Sequence, residues 1–105
     1  MKESPHAFKI VTVHEAIDLI NNDKVTLLDI RDEDSFSKGH IPNAINLNNN
    51  NIDEVIKNSD REDNILIYCY KGISSQNVAQ HFCNLGYKNI FSLGGGFTEF
   101  SKKSG

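Results

Sequence analysis

The sequence has little of several features that would each point to a definite class of protein. Its 105 residues include two cysteines, two prolines and no tryptophan. Two cysteines do not make a disulfide framework. No apolar run approaches the roughly 18 residues that a membrane span needs, and residues 1–5 lack the apolar stretch of a signal peptide. We therefore expect a cytoplasmic chain with no membrane partner, in a compartment that keeps thiols reduced.

The sequence also has no large excess of charge of either sign. Eleven basic and 14 acidic residues are interspersed and give a formal net charge of −3. No basic stripe of the kind that nucleic-acid binding requires is present, so we expect no nucleic-acid partner. An anionic substrate would have to find a local positive site. The length and the ordinary content of hydrophobic residues, 38%, predict a single domain over residues 1–105.

Short apolar segments alternate with amphipathic ones along the whole chain. Predicted strands cover residues 8–11, 25–30, 44–47, 65–68 and 90–91. Thr12 and Glu15 form a capping-box pattern that starts the first helix, and further helices are predicted near residues 33–38, 52–56, 78–85 and 97–100. This order indicates an α/β fold: a mostly parallel sheet with helices on both faces and functional sites at the carboxyl ends of strands.

Cys69 stands at the carboxyl end of the most apolar predicted strand, just before a predicted helix. A strand–loop–helix can curl until successive backbone amides point at one centre, which makes an anion site together with the helix N-terminus. Gly72 allows tight curvature, while Ser74 and Ser75 suit an N-cap and their hydroxyls can donate inward. The residues predicted to line this site are Tyr70, Lys71, Gly72, Ile73, Ser74 and Ser75.

Such donors would favour the thiolate form of Cys69. Helix N-termini can lower a cysteine pKa from about 8.5 to between roughly 3.5 and 7.5. A cradled thiolate is a nucleophile toward sulfane sulfur, and Lys71 adds a cation that could meet a dianionic donor such as thiosulfate. A lone cysteine at a strand end is also commonly a small packed residue. From the residues alone, the packing role and the nucleophilic role are about equally supported.

Three ordered motifs resemble those of the rhodanese family. The loop that begins at Cys69 resembles its six-residue active-site loop. Asp29 and Arg31, followed by Gly-His-Ile-Pro-Asn-Ala at residues 39–44, resemble its early signature, and Gly-Gly-Phe-Thr-Glu-Phe at residues 95–100 resembles its closing one. The resemblance spans residues 10–100 and is strongest to the small single-domain thiosulfate sulfurtransferases of bacteria. It implies a five-stranded rhodanese-like sheet.

The resemblance also implies a mechanism and its partners. Cys69 would carry a persulfide between a small anionic sulfur donor, thiosulfate, and an acceptor that is cyanide or a thiol such as that of thioredoxin. The amides of residues 70–74 and the Ser74 hydroxyl would surround the sulfur, and no cofactor or metal is implied. Asn43 departs from the family's glycine but tolerates a left-handed turn. Ser74 replaces an arginine found in many members, so no bidentate clamp is expected.

Other candidate residues are interpreted as structural. Asp29 can cap the turn after its strand, and Arg31 can pair with a neighbouring carboxylate such as Asp32 or Glu33. His40 is expected to pack and form a hydrogen bond rather than act as a base. Cys83 lies on the predicted helix that follows the Cys69 loop. The rise of that helix puts its sulfur on the order of 12 Å from that of Cys69, so we expect Cys83 to be inert.

The residues bear differently on four alternative functions. The remaining histidines, His6, His14 and His81, show no ligand spacing, so no metal site is expected. A cysteine phosphatase needs an arginine within the loop to hold phosphate oxygens, and both arginines precede Cys69. Two further alternatives stay open. A persulfide carrier for a protein partner needs the same Cys69 loop as the enzyme, so the sequence does not separate the two. A non-catalytic binding module is the other, although such modules typically lack the cysteine that is present here.

Overall fold

The computed structural model describes residues 7–104. Five strands form one parallel sheet in the order β1-β5-β4-β2-β3. The strands are β1 (Lys9–Val11), β2 (Val25–Asp29), β3 (Ile45–Asn46), β4 (Asn64–Tyr68) and β5 (Asn89–Leu93). The helices are α1 (Val13–Asn22), α2 (Glu33–Lys38), α3 (Ile52–Asn58), α4 (Ser74–Asn84) and α5 (Gly96–Ser104). The predicted α/β fold is confirmed, with element ends shifted by a few residues.

Two hydrophobic clusters cover the two faces of the sheet, because successive side chains of a strand point to opposite sides. In β4, Ile65 and Ile67 belong to one cluster, and Leu66 and Tyr68 belong to the other. Helices α3 and α4 contribute to the first cluster and helices α1 and α5 to the second. Helices therefore lie on both faces, as predicted.

Local signals in the sequence fix several element ends. The Thr12 hydroxyl accepts a hydrogen bond from the Glu15 amide at 3.1 Å, and the Glu15 carboxylate accepts one from the Thr12 amide at 2.9 Å. The predicted capping box is thus confirmed at the start of α1. Asn43 adopts φ +73°, which confirms that asparagine sustains the left-handed turn. Across residues 7–104, no helix combines the length and apolar character needed to cross a bilayer.

The register of the sheet brings the candidate residues to one edge. Asp29 at the end of β2 is paired with Tyr68 at the end of β4. Cys69 therefore leaves β4 beside the turn that contains Arg31, and the N-terminus of α4 returns to the same edge.

Candidate active site

The sulfur of Cys69 lies between the end of β4 and the first turn of α4. Its Sγ accepts hydrogen bonds from the backbone amides of Gly72 at 3.2 Å and Ser75 at 3.3 Å. Ser75 Oγ lies 3.4 Å from the same sulfur. Cys69 is only 4% exposed, yet polar donors from one short loop surround its sulfur. Donors that converge in this way would stabilise a negative charge on the sulfur.

Two opposing effects act on the thiol. Burial, the largest single effect, disfavours the charged form. Hydrogen bonds from the Ser75 hydroxyl and from the amides of Ser75, Gly72 and Lys71 together outweigh it, so the pKa of Cys69 lies below its usual value. This direction agrees with the general rule that hydrogen bonds to the charged form favour it.

The structure corrects the predicted N-cap role of the two serines and separates the roles of their hydroxyls. Ile73 occupies the N-cap of α4 without a side-chain cap bond, and Ser74 is the first helical residue. Ser74 is exposed, whereas Ser75 is buried with its hydroxyl at the sulfur. Both serine hydroxyls were predicted to donate inward: that of Ser75 reaches the sulfur, and none of the hydrogen bonds described for residues 7–104 joins the Ser74 hydroxyl to it. One helical residue rotates a side chain by about 100°, which decides the serine that faces inward.

A second buried hydroxyl supports the first and was not singled out in the sequence. Ser92 of β5 is fully buried, and its Oγ lies 2.8 Å from Ser75 Oγ. A hydroxyl carries one proton, so Ser75 can donate to a Cys69 thiolate while it accepts from Ser92. The sequence does contain a sign of this buried hydroxyl. Ser92 stands among apolar residues of β5, two positions after Ile90, and therefore on the same face of the strand as Ile90.

The mouth of the site is a shallow cavity of about 260 Å³, and one charged group stands at its rim. It is lined by Cys69, Tyr70, Lys71, Ile73 and Ser74. Lys71 is exposed, and no ion pair found in residues 7–104 engages it. Its ammonium group is therefore available to an anion that approaches the sulfur. A larger cavity of about 530 Å³ beside Asn46 and Val78 does not include Cys69.

Tyr70 ties the Cys69 loop, residues 69–75, to the start of α2. Its hydroxyl donates to Asp32 Oδ1 at 2.9 Å and lies 2.6 Å from Ser35 Oγ. Asp32 is itself the N-cap of α2 and accepts from the Ser35 amide at 3.0 Å. Hydrogen bonds from Ser35 and Tyr70 lower the pKa of this carboxyl group.

Asp29 and Arg31 form a buried ion pair below the site. Arg31 Nη2 donates to Asp29 Oδ2 at 2.8 Å, and the Arg31 amide donates to Asp29 Oδ1 at 2.8 Å. Asp29 caps the turn as predicted, but the expected pairing of Arg31 with Asp32 or Glu33 is wrong. Those two side chains are exposed, and the Asp29 carboxylate is in reach because the chain bends back after β2. Burial opposes the charge of Arg31, but Asp29 keeps its pKa raised.

Arg31 also holds neighbouring segments together. Its Nη2 donates to the Gly39 carbonyl at 2.6 Å, and its guanidinium carbon lies 4.1 Å from the centroid of the Phe97 ring. The Arg31 side chain is thus a structural link between the segment after α2 and the first turn of α5. It makes no contact with the Cys69 sulfur among the hydrogen bonds of residues 7–104.

The other candidate residues lie outside the Cys69 loop. His40 is exposed, stacks on Phe36 at 3.8 Å between ring centroids, and has its Nδ1 2.8 Å from the Phe36 carbonyl. Cys83 is fully buried in the cluster under α4, and burial raises the pKa of its thiol. Within residues 7–104, no group of three or more metal-ligating side chains converges, and His6 lies outside the described residues.

Comparisons with known proteins agree with the fold. The rhodanese-like domain family matches residues 12–103. The thiosulfate sulfurtransferase GlpE of Shewanella oneidensis is 41% identical over 92 residues, which cover 88% of this chain and 91% of that protein. The thiosulfate sulfurtransferase GlpE of Coxiella burnetii is 41% identical over 90 residues, which cover 86% of this chain and 84% of that protein.

A solved structure extends the likeness to the backbone. The rhodanese-like domain protein of Staphylococcus aureus superposes with a TM-score of 0.77 over 89% of this chain and 91% of its own, at 22% identity. At that identity the likeness concerns the fold alone. With the family match over residues 12–103 and the curated relatives, the chain belongs to the rhodanese family.

Proposed function

We propose that the chain transfers sulfane sulfur from thiosulfate, or a similar small anionic donor, to a thiophilic acceptor through a persulfide on Cys69. Curated relatives at 36–41% identity over most of the chain are named thiosulfate sulfurtransferases, and the chain is an enzyme of this class. The observation that carries the persulfide mechanism is the position of Sγ, within 3.3 Å of two backbone amides, that of Gly72 in the loop and that of Ser75 in the first turn of α4.

The first step loads the enzyme. The Cys69 thiolate attacks the outer sulfur of thiosulfate, a new S–S bond forms, and the bond between the two thiosulfate sulfurs breaks. Sulfite leaves with the electron pair, and Cys69 becomes an anionic persulfide. No proton is transferred, which is consistent with a site whose nearest donors are backbone amides and a serine hydroxyl rather than an acid or base. The lowered pKa of Cys69 supplies the nucleophile.

The second step returns the enzyme to its starting form. A nucleophile, either cyanide or a thiolate, attacks the outer sulfur of the persulfide, and the Cys69 thiolate leaves with the electron pair. Thiocyanate or a persulfide on the acceptor is the product. The same amides stabilise Cys69 as nucleophile in the first step and as leaving group in the second. A thiol acceptor such as that of thioredoxin fits this step.

Lys71 is proposed to select anionic donors. Its exposed ammonium group lines the mouth of the cavity above Cys69. Lys71→Ala should raise the KM for thiosulfate about two- to five-fold, the range of an exposed charge pair, and leave kcat nearly unchanged. Lys57→Ala, at an exposed lysine of α3, serves as the matched control. An unchanged KM in Lys71→Ala would remove this role.

Two alternative functions, a persulfide carrier and a non-catalytic binding module, differ from the proposed enzyme in persulfide formation and in turnover with cyanide. A carrier for a protein partner would form the persulfide but turn over slowly with cyanide, and a binding module would form none. We place the reaction in the cytoplasm, because both cysteines are free thiols and such thiols persist in a reducing compartment.

Intact mass spectrometry after incubation with thiosulfate tests the proposal. The wild type and Cys83→Ala should each gain the mass of one sulfur atom, and addition of cyanide should remove it. Cys69→Ser should gain nothing. A wild type that gains no mass, or a gain that persists in Cys69→Ser, would contradict the persulfide at Cys69.

A further inference from the structure

The closing glycine motif packs directly on the Cys69 loop. Residues 94–96, the glycine turn, lead into α5, and two amides of the first turn of α5 point at the loop. The Phe97 amide donates to the Cys69 carbonyl at 2.9 Å, and the Thr98 amide donates to the Tyr70 carbonyl at 3.0 Å. Amides in the first turn of a helix have no partner within the helix, so these two are free to bind another segment.

No side chain fits between the two segments. A Cβ atom on Gly96 would lie 2.4 Å from the Tyr70 carbonyl oxygen and 2.7 Å from that of Cys69. On the other side of the contact, a Cβ on Gly72 would lie 2.8 Å from the Gly95 nitrogen. Real Cβ atoms do not approach backbone this closely, so the hydrogen bonds from α5 depend on glycine at both positions.

The geometry of the peptide unit links the Tyr70 carbonyl to the sulfur. The peptide bonds after Cys69 and Tyr70 are trans, so each carbonyl points away from the amide of the next residue. When α5 holds the Tyr70 carbonyl, the Lys71 amide must point to the opposite side, into the loop. Burial opposes the thiolate most strongly, and the Lys71 amide is among the donors that nevertheless lower the pKa of Cys69.

We propose that Gly96 is a positioning residue for the reaction at Cys69, because its missing side chain lets α5 hold the Cys69 and Tyr70 carbonyls, and the held Tyr70 carbonyl keeps the Lys71 amide directed at the sulfur. This inference rests on the proposed role of the Cys69 thiolate as nucleophile. The glycine turn would then help to orient the Cys69 loop, in addition to connecting β5 to α5.

The test compares Gly96→Ala with Gly39→Ala, both in a Cys83→Ala background that leaves one thiol. Gly39 is the matched control because its backbone is extended, with φ 167°, and nothing lies within 4 Å of an added Cβ. The rate of alkylation by iodoacetamide as a function of pH gives the pKa of Cys69. Gly96→Ala should raise that pKa by about one unit or more, the size of one lost hydrogen bond to a charged group, and Gly39→Ala should leave it unchanged.

When Gly96→Ala folds, two results would overturn the inference. One is a folded Gly96→Ala, judged by circular dichroism, with the wild-type pKa at Cys69; the other is an equal shift in Gly39→Ala. If Gly96→Ala does not fold, an NMR pH titration of the wild type tests the inference instead. The amide resonances of Phe97 and Thr98 should follow the titration of Cys69, whereas that of Lys102 in the last turn of α5 should not; flat resonances at Phe97 and Thr98 would refute the coupling.

The readout keeps this inference distinct from the proposed function. Titration of the thiol requires no sulfur donor, so a low pKa that rises in Gly96→Ala supports the positioning role whether or not thiosulfate loads the enzyme. A wild type that gains no mass with thiosulfate contradicts the proposed reaction alone.

Discussion

Replacing Asp29 with asparagine removes one partner of the buried ion pair and keeps the shape of the side chain. In the folded protein the Asp29 side chain is 0% exposed and that of Arg31 is 4% exposed. The carboxylate accepts from Arg31 Nε, Nη2 and the Arg31 amide. Asparagine would leave the Arg31 charge buried without a counter-charge.

The magnitude follows from that burial. Removing one partner of a buried pair typically costs about 3–5 kcal/mol, because the other charge stays desolvated. The total stability of a domain is only about 5–15 kcal/mol. The exposed pair between Lys38 and Asp34, with nitrogen and oxygen 3.4 Å apart and both side chains 79% exposed, should contribute less than about 1 kcal/mol. Asp34→Asn is therefore the control.

Urea unfolding followed by circular dichroism measures both variants. With a urea dependence of about 1–3 kcal/mol per molar, Asp29→Asn should lower the unfolding midpoint by about 1 M or more, and Asp34→Asn by a small fraction of that. Equal midpoints for the two variants would show that the buried pair does not hold the segments after β2 and α2 together.

The remaining predictions concern the thiol and its loop. Gly72→Ala should cost more than about 1–2 kcal/mol in a melting experiment, because φ is +88° and the added Cβ would lie 2.8 Å from backbone of the glycine turn; an unchanged melting temperature would speak against this packing. Ser75→Ala should raise the pKa of Cys69 by about one unit or more, measured by alkylation against pH; no rise would remove the hydroxyl from the site. Cys83→Ala should keep wild-type kcat in the thiosulfate–cyanide assay, since Cys83 is buried away from the loop, and a large loss would call for a second active cysteine. Sulfur loading should fall as pH falls through the lowered pKa of Cys69, with a midpoint below about 8.5; a midpoint above that value would disagree with the donors seen at the sulfur.

The order of elements was readable from the sequence because each helix and strand carries its own periodicity. Alternation of apolar segments predicted the parallel sheet, and Thr12 with Glu15 predicted the start of α1. The end of β5 and the length of α5 were less clear, since residues 92–104 contain three serines, three glycines and a polar helix surface without a strong pattern.

The hydrogen-bond partners of individual side chains were harder to predict. Arg31 pairs with Asp29 because the chain bends sharply after β2, a feature that the spacing of charges along the chain does not reveal. Ser75 rather than Ser74 meets the sulfur because α4 begins after Ile73, and a shift of one residue would exchange the two. Ser92 joins the site through the register of β5, which depends on the assembled sheet.

The most direct test of the account is the pKa of Cys69 itself, measured in Cys83→Ala by thiolate absorbance near 240 nm during a pH titration. Donation from the amides of Gly72 and Ser75 predicts a titration clearly below the ordinary cysteine value of about 8.5. A titration at or above that value would mean that burial prevails over those hydrogen bonds, and it would contradict the thiolate on which the proposed sulfur transfer depends.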